Sequence, residues 1–178
     1  MIFRFELVRV DDLTEEQRAG IKAMKEVVYP PSLFADAPIR GREWKPPSWA
    51  VLVTDDDRVV SYTGIVLTDG LVDGREARIG GVGGVATHPD QRGRGLARRS
   101  IELALGFMSE QGVDFALLVC REELIPYYTE IGWRRFNGTM LVTQFGEQEE
   151  FTFNLVMVAD VLSAAPDEGV VDLLGPPW

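Results

Sequence analysis

Residues 79–99 constrain the fold more than any other part of the chain. They open as an apolar, glycine-rich run, Ile79-Gly80-Gly81-Val82-Gly83-Gly84-Val85-Ala86-Thr87, that reads as a strand. His88-Pro89-Asp90 interrupts it, and a glycine-arginine turn leads into a helix over about 96–111. That helix carries Ala97, Ile101, Ala104, Leu105 and Met108 on one face. Small residues in such a turn let successive backbone N–H groups converge on an anion, and the helix dipole adds to the attraction. Arg92, Arg94, Arg98 and Arg99 fall here, in a chain whose 18 Lys+Arg against 28 Asp+Glu leave a formal charge of −10. Local charge inversion at a helix N-terminus suits a phosphorylated ligand. A solvated basic helix face would account for Arg98 and Arg99 but not for the glycine spacing. Gly81-x-Gly83-x-x-Ala86 matches a dinucleotide fingerprint by letter. That fingerprint needs a helix opening at the glycines, whereas here a turn intervenes and no parallel βαβ unit leads in. No Gly-Lys-Ser/Thr follows, which excludes a P-loop.

Around this centre the pattern alternates strands and helices. Residues 2–10 read as a strand, and Thr14-Glu15-Glu16-Gln17 matches a capping box opening a helix from Glu15 to about Tyr29, stopped by Pro30-Pro31. Residues 30–47 hold five of the ten prolines, with Asp36, Glu43 and Trp44. They read either as a lid or binding segment or as a surface connection pinned by prolines. Strands at 48–54, 58–68 and 75–87, separated by Asp/Gly clusters, form an antiparallel meander. After the helix come a buried strand at 114–120, a short helix at about 122–131, and strands near 138–145 and 151–159. A tail ends the chain at Gly-Pro-Pro-Trp178. This order predicts a mixed α/β (α+β) fold, one central and largely antiparallel mixed sheet with helices packed against it, as one domain over 1–178.

With 46% hydrophobic and 26% charged residues, the composition is that of an ordered globular chain. Its acidity argues against nucleic-acid and anionic-membrane partners and favours cationic ones. One cysteine, Cys120, rules out an intramolecular disulfide and a Cys-cluster metal site. One histidine, His88, leaves no His-rich zinc constellation, so no metal is expected. No apolar run reaches 18 residues, and the first residues lack the features of a signal peptide. A cytoplasmic protein is the expectation.

Gly83-Gly84-Val85-Ala86-Thr87, the Arg92-x-x-Gly95-x-Ala97 turn and the following helix resemble the acyl-CoA site of the GNAT N-acetyltransferase superfamily. Tyr127-Tyr128-Thr129-Glu130-Ile131-Gly132-Trp133 resembles its signature of a tyrosine, three residues, a glycine and an aromatic. The two motifs come in the family's order with a strand between them, over about residues 79–136. The resemblance implies the GNAT acyl-CoA N-acyltransferase fold, helices on both faces of the sheet, and acetyl-CoA as co-substrate. It implies that the amides of Arg92, Gly93, Arg94, Gly95, Leu96 and Ala97 hold the CoA pyrophosphate. Val85, Ala86 and Thr87 would pair with the pantetheine arm as another strand would. Tyr128 is then the general acid for the departing sulfur, with Tyr127, about 100° around the helix, as the competing choice and a plain core tyrosine as the structural alternative.

The resemblance breaks at Gly83, where many relatives carry a Glu that accepts the amine's proton. Glu43, Glu149 and Glu150 are candidate bases, or the amine arrives already neutral. His88 begins the turn, where polar residues cap, and Cys120 has no neighbouring His or second Cys to support an acyl-cysteine. Within the superfamily, Glu43-Trp44 and the Asp-Leu-Leu-Gly-Pro-Pro-Trp178 end are similar to the aminoglycoside 2′-N-acetyltransferases. That likeness implies Glu43 and the terminal carboxylate of Trp178 as acceptor contacts, Asp36 as a third, and Gly83 beside them. The expected activity is direct transfer of acetyl from acetyl-CoA to a primary amine of a small cationic, aminoglycoside-like molecule. The alternatives are a protein N-terminus or lysine as acceptor, or a non-catalytic acyl-CoA-binding module; a homodimer is compatible with each.

Overall fold

The capping box expected at Thr14 forms: its Oγ1 accepts from the Gln17 amide at 3.2 Å, and Gln17 Oε1 accepts from the Thr14 amide at 3.0 Å. The computed structural model describes residues 2–30 and 41–178, so Asp36 lies outside the described residues. The box opens α1 (Glu15–Val28), which ends ahead of Pro30 and buries Ile21 and Met24. The strand before it, β1 (Phe3–Arg9), pairs antiparallel with β2 (Trp49–Asp55). β3 (Arg58–Val72) and β4 (Arg75–Thr87) make a longer hairpin than the sequence predicts. The turn expected over 69–74 contracts to Asp73-Gly74, both at positive φ (49° and 78°), as a two-residue hairpin turn demands.

Then follow α2 (Leu96–Glu110), β5 (Phe115–Cys120) and α3 (Ile125–Glu130). The rest departs from the expected pair of strands. It comprises β6 (Arg134–Arg135), β7 (Thr139–Gln144), β8 (Glu147–Glu150), β9 (Leu155–Asp160) and β10 (Val170–Asp172). Phe145 and Gly146, at φ 50° and 86°, turn β7 back into β8. β6 and β10 are two and three residues long, too short for a periodic signal; β10 lies between β3 and β7.

The strands form one mixed sheet in the order β6-β9-β5-β4-β3-β10-β7-β8, with β2 also on β3 and β1 outside β2. α2 covers one face, packing Ile101, Ala104 and Met108 on Val51, Ile65 and Val82. α1 covers part of the other, packing Ile21 and Met24 on Leu52, Tyr62 and Ala86. Among the described residues, no helix is long and apolar enough to cross a membrane.

β4 and β5 set up the site. They pair in parallel over only three positions, Ile79–Gly81 with Phe115–Leu117, and then diverge. Trp178 fills the point of divergence. Its indole Nε1 donates to the Leu117 carbonyl at 3.3 Å, and the ring is buried. A Cβ on Gly81 would lie 2.2 Å from Trp178 Cε2, so glycine at 81 is required by this close approach. Gly81→Ala is therefore expected to cost about 1–3 kcal/mol by overpacking a rigid ring, read as a fall in Tm of several degrees. Gly106 is the control: it is exposed in mid-helix, and a methyl group added there would meet nothing within 4 Å. Gly106→Ala should raise stability by about 0.5–1 kcal/mol. Equal Tm shifts in the two variants would contradict the placement of the indole.

Candidate functional site

Past their three paired positions, the facing edges of β4 and β5 have no strand partner among the described residues. A cavity of about 670 Å³ opens there. Its walls are Val85 and Thr87 of β4, the glycine-arginine turn with the first residues of α2, the end of α1, and α3. Of the six turn residues singled out in the sequence, Arg92, Gly93, Gly95, Leu96 and Ala97 line the cavity, while Arg94 is exposed outside its lining. Ala86 points to the opposite face and packs with Tyr62, as strand alternation requires of a residue between Val85 and Thr87.

The turn combines left-handed glycines, free helix amides and positive charge. Gly93 and Gly95 sit at φ 76° and 72°, the left-handed region, and nothing lies within 4 Å of a Cβ added at either. Their lack of a side chain thus serves backbone conformation and close approach rather than packing. Gly95 is the N-cap of α2, so the first amides of that helix have no partner within it. Arg92, Arg98 and Arg121 add positive charge to the wall. The guanidiniums of Arg121 and Arg92 are near enough to oppose the rise in the Tyr29 phenol pKa caused by its burial. The sequence reading misses Arg121 and Tyr29. Arg121 had a signal, being the basic residue that follows the buried strand; Tyr29 had none, because its place depends on how α1 crosses the sheet. The Tyr29 hydroxyl donates to the Val85 carbonyl.

His88 caps the turn. Its Nδ1 is 2.6 Å from Asp90 Oδ1, and Asp90 also binds Arg58 at 3.0 Å. His88 is absent from the cavity lining, so its imidazole serves the turn's geometry.

Tyr128 is buried, with 6% of its surface exposed, and lines the same cavity as the turn. Its ring meets Tyr127 edge-on at 5.2 Å and Trp133 at 6.3 Å between centroids. Burial pushes its phenol well above the ordinary range, so the proton is held throughout physiological pH. Tyr127 lines the same cavity despite its different angular position, because α3 has only six residues and presents a broad side to it. Burial, with Glu123 nearby, pushes the Cys120 thiol up to about 11, which keeps it protonated and a poor nucleophile.

On the acceptor side, the structure brings the proline-rich segment and the tail together: the Lys45 amide donates to the Pro177 carbonyl at 2.7 Å. The Glu43 carboxylate and the Trp178 indole are engaged in the fold. The Glu43 carboxylate accepts from the Phe145 amide at 2.6 Å, and Gln144 binds the Glu43 main chain at 2.9 and 3.0 Å. A Cβ on Gly83 would sit 3.4 Å from Trp178 Cδ1 and 3.6 Å from its carbonyl carbon, so a longer side chain would require the tail to move. Glu149 pairs with Arg42, and Glu150 is exposed on β8. None of the three glutamates considered as bases lines the cavity.

Comparison with known proteins agrees with this geometry. No curated protein sequence matches the chain significantly. ElaA of Escherichia coli has a similar structure, with a TM-score of 0.63 at 16% identity, covering 89% of this chain and 100% of that one. The Escherichia coli GNAT family N-acetyltransferase YhbS, solved with CoA, gives 0.61 at 19% identity, covering 97% of this chain and 88% of that one. The ribosomal-protein-S18-alanine N-acetyltransferase of Escherichia coli gives 0.56 at 13%, with 91% and 96% covered. At these identities the likeness is one of fold. The family model described as an acetyltransferase (GNAT) domain matches residues 9–136, from the end of β1 through the cavity to just past β6. On that match the chain belongs to the GNAT family of acetyltransferases.

Proposed function

We propose that the protein transfers an acetyl group from acetyl-CoA directly to a primary amine of a small molecule, with Tyr128 as the general acid. One observation carries this reading: Tyr128 and the anion-binding turn wall the same cavity, with the unpaired edge of β4 between them. A pyrophosphate fits the amides around Gly93 and Gly95, and an extended amide-bearing arm fits the backbone from Val85 to Thr87. The amine nitrogen attacks the thioester carbonyl, the C–S bond breaks, and Tyr128 gives its proton to the departing sulfur. With glycine at 83 the amine enters neutral, and its surplus proton leaves to water. The protonated Cys120 favours direct transfer over an acyl-enzyme. Residues 1–178 act as one catalytic domain in this reading, since Leu173 and Trp178 pack into the core of the shared sheet. A single buried thiol suits a cytoplasmic setting.

The finer expectation of an aminoglycoside-like cation rests on Glu43 and Trp178. Glu43 is held by the Phe145 amide and the Trp178 indole by the Leu117 carbonyl, while the terminal carboxyl carbon of Trp178 lies 3.6 Å from a Cβ built on Gly83; the acceptor class is argued below from a different residue. The test is release of the CoA thiol across a panel of primary amines, with mass spectrometry of the products. Acetylation of at least one small amine is expected. Acetylation confined to protein N-termini or lysines would replace the acceptor class, and acetyl-CoA binding without transfer would overturn the enzyme reading.

A further inference from the structure

A second depression adjoins the CoA cavity across α1. It is a groove of about 590 Å³, with Val10, Leu13 and Ile21 among its apolar walls and Tyr29 common to both cavities. Lys25 lies in this groove, one helical turn before Tyr29. Its ammonium stands 4.0 Å from the centre of the Tyr62 ring and 3.4 Å from where a Cβ on Gly84 would be. No carboxylate among the described residues pairs with it, and burial lowers its pKa with no acid to offset the effect. Glu26 is the one acid among the described residues of the groove, and it forms no ion pair with Lys25; the other two charges are cations. Arg18 is spent on the carbonyls of Val10, Asp11 and Leu13, at 2.7, 3.1 and 3.2 Å, and Lys22 and Glu26 are exposed on α1.

Gly84 gives this ammonium its functional position. At φ 59° it forms a bulge in β4, where the register with β3 shifts between Tyr62 and Gly64. The bulge immediately precedes Val85–Thr87, the backbone suited to the extended arm, and so marks the inner end at which a thioester would lie. A side chain on residue 84 would begin 3.4 Å from the Lys25 ammonium, so glycine here leaves the approach from Lys25 to the bulge unfilled. A desolvated cation that lacks an anion here is a binding group for an anion that arrives with the ligand. With Arg18 engaged by carbonyls and Lys22 exposed, Lys25 is the half-buried cation of the groove that keeps its donors, and one such ammonium suits a monoanion better than a phosphate, which needs several donors.

We propose that Lys25 receives the carboxylate of the acceptor, so that the amine acetylated by this protein belongs to a small amino-carboxylate with an apolar body. This rests on the acetyl-transfer reading above. An α-amino acid placed this way lays its side chain on Val10, Leu13 and Ile21 and holds its amine within a few bonds of the carboxylate, toward Gly84.

The experiment measures kcat/KM for leucine and phenylalanine, each against its amide and its decarboxylated amine. The carboxylates should be preferred by roughly tenfold or more, the scale of a hydrogen bond to a charged group. In Lys25→Met that preference should vanish through KM of the acceptor, with KM for acetyl-CoA unchanged; Lys25→Arg should recover part of it. A thermal melt confirms that the variants fold. Equal use of the decarboxylated amines, or a preference that survives Lys25→Met, overturns the Lys25 assignment while acetyl transfer stands. If no amine is acetylated, the catalytic reading fails, and calorimetry of leucine into the CoA-loaded protein decides the site. Binding lost in Lys25→Met upholds it, and absence of binding to the unaltered protein overturns it.

Discussion

Gly95→Glu is expected to weaken acetyl-CoA binding by at least about 100-fold, the equivalent of losing one or two charge-assisted hydrogen bonds. The position is chosen for what surrounds it. Nothing lies within 4 Å of a Cβ built there, so the substitution starts without a clash and brings a negative charge to the turn proposed to meet a phosphate. The left-handed backbone at φ 72° costs a non-glycine residue about 1 kcal/mol, a few degrees of Tm, and leaves the fold in place. Gly95→Ala separates the two effects: it carries the backbone cost without the charge and should lose far less affinity. Calorimetric titration of CoA into the three proteins checks this. Wild-type affinity in Gly95→Glu would remove the pyrophosphate from the turn.

Tyr128→Phe is expected to lower kcat by roughly 100-fold, as for loss of a positioned general acid, with little change in KM for acetyl-CoA. Phenylalanine keeps the edge-on contacts with Tyr127 and Trp133, so the variant tests the hydroxyl and not the packing. Tyr127→Phe should stay near wild type. A full kcat in Tyr128→Phe would move the proton to Tyr127 or to water. The pH profile gives an independent reading. An acid must be protonated to act, and burial raises this phenol above its usual value, so its ionisation cannot curtail activity below about pH 10. Activity should therefore climb with pH as the acceptor amine deprotonates, without an alkaline fall in the range ordinarily assayed.

The parts of this protein that could be read from its sequence are those whose chemistry closes within a few residues. The Thr14–Gln17 box is made by two hydrogen bonds spanning three positions, and it forms as its letters imply. The turn at Gly93 and Gly95 is likewise local: left-handed backbone calls for glycine, and the helix that follows presents its own free amides. The order of the main strands was legible too, because alternation and Asp/Gly clusters mark each one. The long-range contacts around the cavity were not. Trp178 meets Leu117 across 61 positions, Tyr29 meets Val85 across 56, and Glu43 meets Phe145 across 102. Each of these contacts exists because sheet order and the divergence of β4 from β5 bring distant segments into register, and no periodicity within a segment records its neighbour. The glycine-shaped start of α2, with its free amides, is therefore written in the local order of glycines and arginines. Three other features come from chain packing alone: an indole closes the space beside Gly83, Glu43 is drawn to a hairpin amide, and the ammonium of Lys25 has no acid among the described residues at the bulge of β4.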